Sequence, residues 1–178
     1  KRFLPSSVLN LVTDPQIPSP QKFFGTIIGA PGVMHHTTEI YNYYKKLAES
    51  SSLISMHQVG VTEEGRAINL VMIGNEDAMK RSDFFKNQLA LLADPRKVGT
   101  MDVNQIINST KPVFYLNGGL HSTEMGSPEM LMELAYRLIT DNTDDIKKIR
   151  ENIIVIINPV SEPDGRDKQV DWYYRYSK

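Results

Sequence analysis

A histidine and a glutamate three positions apart, His121 and Glu124, are the residues of this chain best suited to chemistry. Imidazole nitrogens and carboxylate oxygens are common ligands of a catalytic zinc ion, which keeps one further position open for water. A spacing of three lets both side chains point the same way in a turn or a helix. The same pair also suits a solvated loop in which an acid stabilises a nearby helix start. The two residues alone therefore leave a metal site and a polar loop both open.

The sequence around the pair favours the metal site. The apolar run 113–116 precedes it and predicts a buried strand. Glycines 118–119 then permit a tight turn, and the tripeptide Ser-Pro-Glu at 127–129 has the cap, proline and acid of a helix start. A strand that ends in a turn before a helix forms the crevice edge of an α/β fold, where ligands commonly bind.

Apolar periodicity predicts a mixed α/β fold for the rest of the chain. The short connection 62–65 predicts an antiparallel hairpin at a sheet edge, and the unbroken apolar run 153–157 predicts a strand covered on both faces. We therefore expect one mixed β-sheet with an N-terminal antiparallel hairpin and helices on both faces. The predicted strands are 53–61, 66–74, 113–116 and 153–157; the predicted helices are 37–50, 77–93, 102–108, 128–140 and 144–150.

The first 31 residues contain five of the ten prolines. Proline fixes φ and removes a hydrogen-bond donor, so residues 1–31 are predicted to form an extended arm. His35 and His36 follow the arm. Adjacent side chains on extended backbone point apart, so these two are predicted to be surface histidines and not a chelating pair.

Composition excludes several classes of function. The chain of 178 residues has 20 basic and 21 acidic residues and a net charge of −1, which gives no nucleic-acid patch. No apolar run approaches the roughly 20 residues that a membrane span needs. Cysteine is absent, so neither a disulfide framework nor a thiol nucleophile exists. The chain starts at Lys1 without methionine and without a signal-peptide pattern, so we expect a processed or trimmed product of unassigned compartment.

Three segments, in order, resemble the carboxypeptidase A-like zinc metallopeptidases. GGLHSTE at 118–124, after its predicted strand, is similar to the zinc-binding segment of that family. GVTEEGR at 60–66 resembles the family's G-x-S/T-x-E-G-R turn between two strands. The strand 153–157, followed by EPDGR at 162–166, resembles the family's strand and N-P-D-G loop. The resemblance extends from about Thr38 to Lys178.

The resemblance implies a zinc-dependent carboxypeptidase that hydrolyses a peptide or protein substrate with metal-activated water. His121 and Glu124 would be two ligands of Zn²⁺. An arginine beyond the N-P-D-G loop of the family binds substrate and stabilises the oxyanion; Arg175 is the better match here and Arg166 the second. The family also suggests a secreted or periplasmic protein, although the chain itself shows no targeting signal.

The chain departs from the family pattern in two ways. Glu162 stands where the N-P-D-G loop begins with asparagine. The family's third zinc ligand, general base and carboxylate clamp lie farther along than Lys178. The resemblance therefore implies that residues 32–178 are the N-terminal half of a zinc carboxypeptidase-like catalytic domain, and we expect this part to be inactive by itself. Two alternatives remain: an aspartoacylase-type zinc amidohydrolase, which also uses a His-x-x-Glu pair, and a binding domain that kept the fold without catalysis.

Overall fold

The structure, a computed structural model, describes residues 16–177. Its centre is a four-stranded sheet in the order β1-β2-β4-β3. β1 pairs with β2 and β2 with β4 in antiparallel fashion, whereas β3 and β4 are parallel. The predicted mixed sheet and its N-terminal hairpin are therefore confirmed. The strands are β1 (Ile54–Val61), β2 (Ala67–Ile73), β3 (Val113–Asn117) and β4 (Ile154–Asn158).

Helices cover both faces of this sheet, as predicted. Alternate residues of β2 such as Val71 and Ile73 pack into the main core with α2 and α6, while Met72 packs with Ala78 and Phe85 of α3 and α4. The helices are α1 (Pro20–Phe24), α2 (Thr37–Ser50), α3 (Glu76–Lys80), α4 (Ser82–Ala93), α5 (Val103–Ser109), α6 (Gly126–Thr140), α7 (Asp144–Asn152) and α8 (Pro163–Tyr176).

β3 is less buried than its apolar sequence suggested. It forms one edge of the sheet within residues 16–177, and Val113, Phe114 and Tyr115 are 39%, 58% and 51% exposed. The prediction of a buried strand at 113–116 is therefore wrong within residues 16–177. Apolar composition shows that a strand can be buried, but it does not show which element covers it.

The N-terminal segment is partly helical. Residues 1–15 of the predicted arm lie outside the described residues; we call residues 16–36 the strap. Pro20 opens α1, with Ser19 as its cap, because proline is well suited to a first helical position. The prediction of an extended arm is therefore wrong for the residues of α1. Phe24 and Ile28 of the strap pack against the main core.

Two other elements differ from the sequence prediction. The helix expected at 77–93 is two helices, α3 and α4, which meet at Arg81. The polar and aromatic segment after Pro159 is the helix α8, begun by Glu162, whose side chain accepts a hydrogen bond from Gly165, and by Pro163. α8 lies where β4 leaves the sheet, so it brings the E-P-D-G-R residues to the carboxyl ends of β3 and β4.

Candidate metal site

The turn after β3, residues 118–125, is here called the His-x-x-Glu turn. The Gly118 N–H donates to the Asn158 carbonyl at 2.9 Å, and a Cβ on Gly118 would lie 2.7 Å from both Leu131 Cδ1 and the Pro159 carbonyl oxygen. Gly119 has φ +61°, a conformation that favours glycine. The two glycines are therefore needed to turn the chain against β4 and α6.

Ser127 serves this turn in a way that the sequence did not indicate. Its hydroxyl accepts the Gly119 N–H at 2.9 Å, while α6 begins one residue earlier, at Gly126. The sequence predicts that this helix starts at Pro128, whereas it starts two residues earlier. The difference arises because Ser127 caps the turn and not the helix. The His-x-x-Glu turn is thereby tied to the first turn of α6.

His121 and Glu124 face each other. His121 Nδ1 and Glu124 Oε1 are 2.8 Å apart, and the Glu124 N–H donates to the His121 carbonyl at 2.9 Å. Their side chains are 71% and 50% exposed. The hydrogen bond to His121 lowers the pKa of Glu124, which keeps the carboxylate ionised. A nitrogen and a charged oxygen are thus presented together to solvent, an arrangement that fits part of a zinc site.

The pair is not joined by further ligands in the described part of the chain. Among residues 16–177, no three histidine, cysteine, aspartate or glutamate side chains are grouped so that they could hold a metal ion. A cavity of about 720 Å³ opens between the strap and α6, but neither His121 nor Glu124 lines it. The candidate site is therefore the exposed pair itself, at the edge of the sheet.

The E-P-D-G-R segment packs directly on the His-x-x-Glu turn. A Cβ on Gly165 would lie 2.7 Å from the Cβ of Ser122, the residue after His121. The Ser161 N–H also donates to the Gly118 carbonyl at 2.8 Å. The start of α8 thus supports the turn from one side, and glycine at position 165 allows the close approach.

The hairpin motif contacts the same helix. Asp164 accepts hydrogen bonds from Thr62 Oγ1 at 2.8 Å and Arg66 Nη1 at 2.7 Å, and Arg66 Nε donates to Asp167 at 2.9 Å. Desolvation alone would raise the pKa of Asp164, but these hydrogen bonds lower it overall. Arg66 is thus paired with two carboxylates of α8. The three motifs found in the sequence are therefore connected in space through α8.

A second histidine–glutamate pair lies beneath the turn, in the buried clamp formed by His35, Glu129 and Arg166. His35 Nδ1 is 2.8 Å from Glu129 Oε2, and Arg166 Nη2 donates to Glu129 Oε1 at 2.5 Å. His35 and Arg166 are only 5% and 2% exposed. The surface position predicted for His35 is wrong, and the burial of Arg166 argues against its predicted contact with substrate. Contacts between residues so far apart in sequence leave no local pattern.

The other predicted residues remain on the surface. Arg175 lies in the last turn of α8, is exposed, and makes no ion pair with any residue of 16–177. Its predicted action on a substrate oxyanion therefore stays a prediction. His36 is partly exposed and lies 2.9 Å from Asp171, which agrees with a surface histidine.

Comparisons with known proteins identify the class of this chain. A family model described as "Zinc carboxypeptidase" matches residues 40–176, so the chain belongs to the zinc carboxypeptidase family. A comparison with curated protein sequences finds no match. Within the described range, no helix combines the length and apolar character required to cross a membrane.

Solved structures of carboxypeptidases share the fold. Carboxypeptidase A from Helicoverpa armigera is 23% identical, with a TM-score of 0.51, and the match covers 74% of this chain and 25% of that protein. Thrombin activatable fibrinolysis inhibitor is 14% identical, with a TM-score of 0.54, and the match covers 87% of this chain and 30% of that protein. At these identities the likeness establishes the fold and nothing more. The chain spans well under half the length of either neighbour.

Proposed function

We propose that this chain is part of a zinc-dependent metallocarboxypeptidase in which His121 and Glu124 are two of the protein ligands of the metal. The observation that carries the proposal is the pair itself: Nδ1 and Oε1 lie 2.8 Å apart, both side chains are exposed, and the turn that bears them joins a strand to a helix. Membership of the zinc carboxypeptidase family supports a metal at this pair.

Zinc bound there would lower the pKa of a coordinated water and polarise the carbonyl of a peptide or protein substrate. His121 and Glu124 would fix the ion at the end of β3. Arg175 would offer a permanent positive charge to the oxyanion that forms from the scissile carbonyl. No third ligand joins the pair within residues 16–177. The family pattern implies that the third ligand and the general base lie beyond Lys178.

The aspartoacylase-type alternative is less well supported. The family match covers the G-x-T-x-E-G-R hairpin connection, the His-x-x-Glu turn and the E-P-D-G-R segment together. These three are held in contact by Asp164, Gly165 and Ser161. We therefore favour peptide hydrolysis over hydrolysis of small acylated amino acids.

Zinc titration and hydrolysis of a blocked dipeptide, both in the full-length protein, test the proposal. We expect His121→Ala and Glu124→Ala each to abolish tight zinc binding and turnover while the protein stays folded. His57→Ala is the matched control, because His57 is an exposed histidine on β1 that contacts Ser55. Unchanged zinc binding in both site variants would contradict the proposal. We expect the 178-residue chain alone to bind zinc weakly and to lack activity.

A further inference from the structure

Arg166 holds the backbone immediately after Glu124. Its Nη1 donates to the Met125 carbonyl at 3.0 Å. Its Nε and Nη2 donate to the His35 carbonyl at 3.0 and 2.8 Å, and Nη2 also contacts Glu129. The guanidinium thus joins three separate parts of the chain: the strap, the end of the His-x-x-Glu turn and the first turn of α6.

We propose that Arg166 is a positioning residue for the metal pair: it fixes the Met125 carbonyl and so sets the direction in which Glu124 and His121 leave their turn. This inference rests on the proposed function. The turn is anchored at its start by Gly118 and Gly119, and Arg166 supplies the anchor at its other end. The exposed ligands stand between these two fixed points.

The chemistry of the clamp requires arginine. Its acceptors are a carboxylate and two carbonyl groups that lie on different sides of the guanidinium, and only a planar fork of several N–H donors reaches all three. Glu129 balances the positive charge in a place where water is excluded. Burial alone would raise the pKa of Glu129, but the hydrogen bonds from His35 and the charge of Arg166 lower it overall. Glu129 is therefore ionised, and both of its carboxylate oxygens accept hydrogen bonds within the clamp.

Residues that orient a metal ligand without binding the metal themselves affect how tightly the metal binds. Replacing a group that orients a zinc ligand typically weakens metal binding about 10- to 100-fold. Arg166 acts on the ligand segment through the backbone carbonyl of Met125, so the same kind of loss is expected when its donors are removed. It touches neither ligand side chain.

Arg150 provides a matched control at the opposite end of α6. It is also buried, at 8% exposure, and its Nη1 donates to the carbonyls of Leu138 and Asp141, each at 2.7 Å. Both arginines therefore tie backbone carbonyls at an end of the same helix. Only Arg166 reaches the His-x-x-Glu turn.

The experiment compares Arg166→Met, Arg166→Lys and Arg150→Met in the full-length protein. Zinc affinity is measured by competition with a chromophoric chelator, ligand geometry by the absorption spectrum of the cobalt-substituted protein, and folding by denaturant unfolding. We expect Arg166→Met to weaken zinc binding about 10-fold or more and to change the cobalt spectrum. Arg166→Lys keeps the positive charge but lacks the planar set of N–H donors, so we expect a smaller loss of zinc affinity than in Arg166→Met. Arg150→Met should lose stability while it keeps wild-type affinity and spectrum.

Two results would overturn the inference. One is wild-type zinc affinity and cobalt spectrum in the folded Arg166 variants. The other is an equal loss of affinity in Arg150→Met, because this would show that general destabilisation is responsible. If Arg166→Met does not fold, the zinc affinity and cobalt spectrum of Arg166→Lys test the inference. Failure of the proposed function gives a different result, since His121→Ala would then leave zinc binding unchanged.

Discussion

Two histidine–glutamate pairs with the same contact distance lie near the start of α6. His121 and Glu124 form one, and His35 and Glu129 form the other; in each, Nδ1 is 2.8 Å from a carboxylate oxygen. The side chains of the first pair are 71% and 50% exposed, and those of the second are 7% and 6% exposed. The same two functional groups therefore occur once at the surface and once in the interior.

The surroundings of each pair decide what it can do. Glu129 is also bonded by Arg166 and by the His35 N–H, so its oxygens are engaged and the pair is enclosed. Glu124 is bonded by the ring and the backbone N–H of its partner histidine, and by the Leu120 backbone, but by no arginine within residues 16–177. The exposed pair can exchange its mutual hydrogen bond for a cation at little cost, whereas the buried pair would lose a complete set of contacts. Burial and a third partner thus separate a structural pair from the proposed ligand pair.

Breaking the buried pair should have the largest effect on stability. Glu129→Ala leaves the guanidinium of Arg166 buried without its counter-charge, so we expect the free energy of unfolding to fall by about 3–5 kcal/mol. Glu124→Ala, at the exposed pair, should leave the unfolding midpoint nearly unchanged. Urea unfolding of the two variants measures this difference. Equal losses of stability would show that the contrast between the pairs is wrong.

Disturbing the glycine turn should have an intermediate effect. Gly119→Ala places a Cβ on a residue with φ +61°, 2.9 Å from Pro128 Cγ, so we expect a loss of about 1–3 kcal/mol and weaker zinc binding. Gly126→Ala is the control, because a Cβ there meets nothing within 4 Å. Thermal unfolding and zinc titration check both variants. A Gly119→Ala protein that matches Gly126→Ala in both measurements would refute the need for the tight turn.

The stabilisation that the buried pair contributes should decrease gradually as the pH falls. The pKa of Glu129 is lower in the folded protein than its ordinary value of 4.5, so the unfolded state takes up its proton first as pH falls. The stabilisation is therefore complete above that ordinary value and is lost as pH drops through the folded pKa. Glu129→Gln, which lacks this titration, should show a shallower decline of unfolding free energy in acid. Parallel curves for wild type and variant would count against a depressed pKa.

The smallest effect is expected for an exposed ion pair between α8 and the hairpin connection. Lys168 of α8 pairs with Glu64 of the hairpin connection, and both side chains are largely exposed. Solvent screens such pairs, so Lys168→Ala should leave stability and zinc affinity close to wild type. Unfolding curves and a zinc titration check this. A substantial loss of zinc affinity would mean that the hairpin contact with α8 controls the site more strongly than the clamp.

The sequence was informative where a local pattern carried the information. Apolar periodicity predicted the mixed sheet and α2, and the spacing of His121 and Glu124 after the glycine turn indicated that their side chains point the same way. The buried clamp could not be predicted in this way, because His35, Glu129 and Arg166 lie far apart in the chain and each resembles an ordinary surface residue. α8 had a readable signal, an acid before proline at 162–163, that the loop interpretation overlooked. The exposure of β3 depends on neighbours that its own residues do not specify.

The central claim is that His121 and Glu124 together bind one zinc ion, whereas His35 and Glu129 bind none. A crystal of the zinc-loaded full-length protein, with anomalous scattering recorded at the zinc edge, tests this most directly. The account predicts a single strong peak at coordinating distance from both His121 and Glu124, with the buried clamp unchanged. A zinc peak elsewhere, with the direct hydrogen bond between His121 and Glu124 still present, would contradict it.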